Sequence, residues 1–158
     1  MTSSHNSKPR SSDLTFWYTD SDKISTINIA TFGPPEVLGS TVVQTHSGVL
    51  TTNKYSSKSS KKIGSFTEMK MCVVKTKDSA FVSNTMTFFL KGGNIQFQPV
   101  GVQFYNSQGY YGLPPDITTT FKIINGTGEY TFLDGYIVVS TFKNLDRLVK
   151  IYFTGNKN

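Results

Sequence analysis

The periodic part of the chain begins at Leu14-Thr-Phe-Trp-Tyr-Thr-Asp20, where Leu14, Phe16, Tyr18 and Asp20 fall on one face of a strand and Thr15, Trp17 and Thr19 on the other. An aspartate thus closes an otherwise apolar row. Weak alternation through Ile24, Ile27 and Ile29 gives a short strand or an irregular connection, which Gly33-Pro34-Pro35 ends. Strands are expected again over residues 41–50, with Gln44 and His46 on one face, over 66–76 and over 81–90. Lys91-Gly92-Gly93-Asn94 is a tight-turn signal that leads into residues 95–100 as a hairpin. From Gln103 to Asp116 the period is lost and Gly, Pro and Tyr dominate, the mark of a lid or binding loop. Residues 118–124, 136–142 and 148–153 complete the pattern. The first two of these are joined through Asn125-Gly126-Thr127-Gly128-Glu129-Tyr130, whose glycines suit positive φ or close backbone approach. About eight strands with short connections describe an all-β chain, an up-and-down barrel or a sandwich, and a closed barrel of that size can just hold one small ligand.

Composition sharpens this. In 158 residues there are 12 Phe and 8 Tyr, and Thr is abundant while Ala and Leu are few, which favours strands over helices. The expected organisation is a disordered tail over residues 1–12 followed by one barrel domain over 13–158. No apolar run approaches the ~20 residues of a membrane span. The first residues lack the apolar core of a secretory signal, and the lone Cys72 suits a reducing compartment, so a cytoplasmic location is expected. The sequon at Asn125 reads as turn chemistry. The net charge of +6 sits largely in Lys54, Lys58, Lys61 and Lys62, with Lys8 and Arg10 in the leader. A solvated loop is the favoured account of that run. A nucleic-acid binder would also need an exposed aromatic strand row, so no nucleic-acid partner is expected. Two histidines and one cysteine do not make a soft-ligand metal site, and no phosphate loop is present.

The order of these segments resembles the allene oxide cyclase and dirigent protein superfamily. Ile123-Ile124-Asn125-Gly126-Thr127-Gly128-Glu129-Tyr130 followed by Gly135-Tyr136-Ile137 is similar to its closing-hairpin pattern, with Asn125 in place of the first glycine and Asp134 before Gly135. The first strand resembles the dirigent strand that ends in His-Asp. Leu38-Gly39-Ser40 with Val42 resembles a Leu-Gly-Asp-x-Val segment, and Met71-Cys72-Val73-Val74 looks like the Leu-Cys-Val-Val of the cyclases. The match is collinear from about Leu14 to Phe153. It implies an eight-stranded antiparallel, calycin-like barrel with a central apolar cavity and subunits associating as dimers or trimers. The implied chemistry is cofactor-independent cyclisation or isomerisation, pericyclic or by epoxide opening, of a small hydrophobic biosynthetic intermediate. A non-catalytic binding or structural barrel is the alternative.

On this alignment the cyclases' acidic group on the first strand falls on Tyr18 and the polar group two residues later on Asp20, where dirigent proteins also carry aspartate. The cyclases' second-strand asparagine aligns with His46 and their pocket cysteine with Cys72, while the dirigent arginine before the closing hairpin aligns with Thr119. The catalytic candidates are Asp20, Tyr18 and His46. The ligand-binding candidates are Phe16, Gln44, Cys72, Phe104, Tyr105, Tyr110 and Tyr111; no metal ligand is assigned. Each has a plainer explanation. Asp20 would cap a turn, Tyr18 would pack as a ring, His46 would sit on an exposed strand face and Cys72 would be a small buried hydrophobe. The loop tyrosines would pack on a neighbouring subunit. Glu68 shares parity with Cys72 and would be a second cavity acid, although a solvent-facing place near the rim is the favoured account.

Overall fold

The computed structural model describes residues 10–19, 25–32, 41–54, 57–76, 79–98, 100–105, 111–112, 116–144 and 146–154. For 25–32, 100–105, 111–112 and positions 41, 42, 44, 72, 74, 75 and 80 it gives the backbone path alone. The strands are β1 (Leu14–Thr19), β2 (Ser25–Phe32), β3 (Thr41–Thr51), β4 (Lys62–Thr76), β5 (Ser79–Leu90) and β6 (Gly93–Phe97). They continue with β7 (Val100–Tyr105), β8 (Tyr111–Gly112), β9 (Thr118–Gly126), β10 (Gly135–Thr141) and β11 (Asp146–Phe153). Following the hydrogen bonds round from β1 through β3, β4, β5, β6, β9, β10 and β11 returns to β1, so eight antiparallel strands close into a barrel. Within the ring, closure leaves those strands no open edge.

The three long neighbours β3, β4 and β5 outrun this ring, and each outer one shares its free edge between two partners. β3 meets β1 at Trp17 opposite Thr51 and meets β2 from Ser25 opposite Ser47 to Phe32 opposite Thr41. β5 meets β6 from Met86 to Leu90 and β7 from Ser79 to Ser83. Pro99, which has no N–H to give to a ladder, stands in the sequence where β6 passes into β7. The expected loop from Gln103 is therefore corrected in part: β7 runs through Tyr105, and Tyr105 pairs with Tyr111 of β8. The edge of β5 beyond the ring still has backbone groups to pair, and β7 supplies them. Asp20, Tyr110 and the remainder of that stretch lie outside the described residues.

Inside the ring, alternate residues make one apolar cluster that includes Phe16, Tyr18, Leu50, Phe66, Phe88, Phe97, Ile137 and Ile151. Phe88 is at its centre: its ring lies edge-on to Phe16 at 5.0 Å, 5.1 Å from Phe97 and 6.1 Å from Tyr18. The end of the barrel nearest Leu14 is closed by two turns docked on each other. Thr127 donates its N–H to Asn94 O, Glu129 donates to Gly92 O, and the Thr127 hydroxyl accepts from Asn94 N–H. Gly128 sits there at φ +62°, and a Cβ on it would lie 2.3 Å from Gly92 O. Gly128→Ala is expected to lower stability by about 2 kcal/mol or more, through left-handed strain plus that clash. The measurement is the urea midpoint at unchanged slope; a midpoint equal to wild type would mean that the two turns can part freely.

Candidate functional site

The site grows from the inward row of β4. Phe66, Glu68 and Lys70 turn inward while Thr67, Met69, Met71 and Val73 stand exposed, the period-2 consequence of a strand with one covered face. Antiparallel register then sets three ranks across β3, β4 and β5. The first brings Phe66 opposite Phe88, the second His46 opposite Glu68 and Glu68 opposite Met86, and the third Lys70 opposite Asn84. The rank nearest the apolar cluster is aromatic and the next two are polar. This polarity change lies where the long strands leave the ring.

Glu68 links the polar ranks. Its Oε1 accepts a hydrogen bond from Asn84 Nδ2 at 2.5 Å, and its Oε2 lies 3.2 Å from Lys70 Nζ and 3.9 Å from His46 Nδ1. The imidazole is wholly covered, the Lys70 side chain is 4% exposed and that of Glu68 is 11% exposed. A covered cation and carboxylate at this distance each offset the desolvation of the other. Asn84 is fixed with its NH₂ toward the carboxylate, and its buried Oδ1 has no hydrogen-bond partner among the described residues. An acceptor so placed suits a donor on a bound molecule or an ordered water.

Across the barrel, the Tyr18 ring packs 4.9 Å from Phe66, and the Tyr18 Cα faces that of Arg147, itself buried and opposite Thr141. The Thr141 hydroxyl donates to Ile117 O at 3.1 Å. The arrangement sets aromatic rings next to a polar group made of an imidazole, a carboxylate, an ammonium and an amide. A carboxylate within 4 Å of an imidazole stabilises its protonated form, so the pair can take up and return a proton. Among the described residues, no group of three or more His, Cys, Asp or Glu is placed to hold a metal ion, and no helix is long and apolar enough to cross a membrane.

Of the residues singled out from sequence, Phe16, Tyr18 and His46 are interior, with Phe16 a fully covered part of the core. The exposed-face account of His46 is corrected, as is the solvent-facing account of Glu68, because each lies on the covered side of a paired strand. Gln44 and Cys72 lie on β3 and β4 with their Cα atoms opposite Lys70 and Val82. Phe104 and Tyr105 belong to β7 and Tyr111 to β8. Lys70, Asn84 and Arg147 were missed. The signal for Lys70 was its parity, since Phe66, Glu68, Lys70 and Cys72 are spaced by two.

No protein-family profile matches the chain, and no curated protein does. Solved structures do. A pyocyanin demethylase superposes with a TM-score of 0.59 at 20% identity, over 89% of this chain and 98% of its own. A pterocarpan synthase dirigent protein superposes with a TM-score of 0.53 at 18% identity, over 87% and 84%. Both are barrels of the allene oxide cyclase and dirigent type, and this chain has their fold.

Proposed function

We propose that this chain, built on the allene oxide cyclase and dirigent barrel, holds a small hydrophobic molecule at the polar end of its barrel and isomerises or cyclises it without a cofactor. The observation that carries this is the buried set His46, Glu68, Lys70 and Asn84 above the rings of Phe66, Phe88 and Tyr18. Four polar groups gathered on the covered face of a sheet cost stability to desolvate, and their geometry serves proton transfer. In the proposed step, the His46 imidazole takes a proton from a carbon or oxygen activated by a carbonyl, whose oxygen gains charge and accepts from Lys70 or Tyr18. Glu68 balances the imidazolium. The proton then returns to another atom of the same molecule, so the formula is unchanged and nothing is oxidised or reduced. Asp20, which follows Thr19 in the sequence and lies outside the described residues, is proposed as a second acid. The two structural neighbours are named for acting on pyocyanin and for making a pterocarpan, which supports a small-molecule substrate.

The test is deuterium incorporation, by NMR in D₂O, into a panel of hydrophobic cyclic enones incubated with the protein. His46→Gln and Glu68→Gln are each expected to slow exchange by about 10²- to 10⁴-fold, with Tyr18→Phe slower by less. Exchange equal to wild type in both His46→Gln and Glu68→Gln would remove these groups from the chemistry. A second reading, a non-catalytic barrel, is favoured by one observation: Phe16, Phe66, Phe88 and Phe97 are fully covered and fill the middle of the ring. It predicts that no enone, and no apolar ligand of similar size, raises the melting temperature. Subunit association is part of the first reading, and the exposed row of Met69, Met71, Val73 and Phe81 outside β4 and β5 supports it.

A further inference from the structure

The outer face of β1, β10 and β11 brings together aromatic and basic residues that lie far apart in the sequence. Tyr136 faces Tyr152 across the ladder, and their rings stack 4.8 Å apart at 12°. Four residues along β11, about 14 Å at ~3.4 Å per residue, Leu148 faces Trp17, whose ring lies 5.5 Å from Phe142. Lys150 lies between the two aromatic pairs, exposed, and Lys122 stands beside Tyr136. Lys54 reaches over the second pair, its Nζ 5.4 Å from the Trp17 ring and 5.2 Å from that of Phe142.

Lys54 begins the basic run that the barrel interior does not explain. Lys58, Lys61 and Lys62 follow, and from Thr51 to Thr67 the sequence contains no carboxylate. Hydrogen bonds from Thr52 N to Lys61 O and from Asn53 Nδ2 to Ser59 Oγ shape this loop beside the second aromatic pair. Of the carboxylates bordering the face, Asp13 is engaged by Arg10 and by the Phe153 N–H, Asp146 is buried and accepts from Asn144, Asp116 lies 3.8 Å from Lys143, and Asp134 is exposed at its edge.

We propose that this face, with Lys54, Lys58 and Lys61 beside it, binds single-stranded nucleic acid. The sequence argued against such a partner because it showed no exposed aromatic row; strand pairing assembles an aromatic row from exposed Tyr136 and half-buried Tyr152, Trp17 and Phe142. Bases stack on such rings without regard to sequence, while lysines on either side follow the phosphates. A duplex, whose bases are stacked on each other, has nothing to offer the rings. The site is separate from the barrel interior.

The experiment is fluorescence anisotropy of a fluorescein-labelled 15-mer of thymidylate, and of the same length as duplex, titrated with the full chain at several salt concentrations. Expected is a Kd of about 1 to 100 µM for the single strand at physiological salt, with weaker binding to the duplex. Tyr152→Ala is expected to weaken binding by about 5- to 150-fold. Lys58→Gln with Lys61→Gln is expected to lessen the slope of log K against log salt by about 1.4, at ~0.7 per phosphate contact. Circular dichroism and melting temperature confirm that each variant is folded. No anisotropy change at low salt overturns the proposal. So does equal affinity for duplex, or loss of binding in the lysine variant with none in Tyr152→Ala, either of which reduces the face to general charge attraction. If the face instead joins two copies of the chain, gel filtration shows a dimer that Tyr152→Ala dissociates and that does not bind the strand, and the proposal falls.

Discussion

Phe88→Ala is expected to lower the unfolding free energy by about 3 to 5 kcal/mol, the range for emptying a large aromatic from a close-packed core. Phe88 has no exposed surface and its ring packs against those of Phe16, Phe97 and Tyr18, so three strands, β1, β5 and β6, lose contacts at once. The walls are strands of a closed ladder and collapse poorly into the space. Chemical denaturation measures the loss directly. A loss under ~1 kcal/mol would mean that the ring interior is loosely filled, and would raise the standing of an open cavity. Phe132→Asn is the control: Phe132 is 98% exposed at φ 63°, a conformation asparagine tolerates, and its replacement is expected to change stability by no more than ~0.5 kcal/mol or to raise it.

The second large effect is expected at Glu68. Glu68→Ala removes the carboxylate that Lys70 faces at 3.2 Å while its ammonium stays covered, which is expected to destabilise by about 3 to 5 kcal/mol. Asn84 loses its acceptor as well. The double replacement Glu68→Leu with Lys70→Met is expected to recover most of that loss, because a well-packed apolar pair costs nothing to desolvate. If the double variant is no more stable than Glu68→Ala, Lys70 is reaching water and the polar ranks are not a desolvated site. The two experiments also separate stability from chemistry. The double variant should fold and yet lose the proton exchange assigned to His46, since the imidazolium then lacks its neighbouring carboxylate.

The ring was legible in the sequence because its information is local. Alternation in β1, β5 and β10 and the glycine turns at Gly93 and Gly128 each announce themselves within a few residues. The extension beyond the ring was not, because the shared use of one edge by β1 and β2, or by β6 and β7, depends on register between segments distant in the chain. For the same reason the stretch after Gln103 reads as loop although part of it completes a ladder. At the site, Tyr18 and Phe16 declared themselves by their apolar row, and Glu68 by parity alone. Lys70 shares that parity, yet a lysine in a strand ordinarily faces water, and its ion pair with Glu68 makes its inward place tolerable. His46 was undecidable from its own strand, since the residue that gives it meaning is opposite it on β4.

The ladder between β1 and β11 runs from Leu14 opposite Ile151 to Thr19 opposite Asp146, so the chain enters and leaves the barrel at the same end of one antiparallel pair. A force applied to the two ends of the domain therefore loads that pair one hydrogen bond after another, starting at Asp13 N to Ile151 O, rather than all of them together in shear. The barrel is mechanically a zip with its tab at the seam. Traction on its ends peels β1 away at low load, although heat and denaturant must still defeat the whole core.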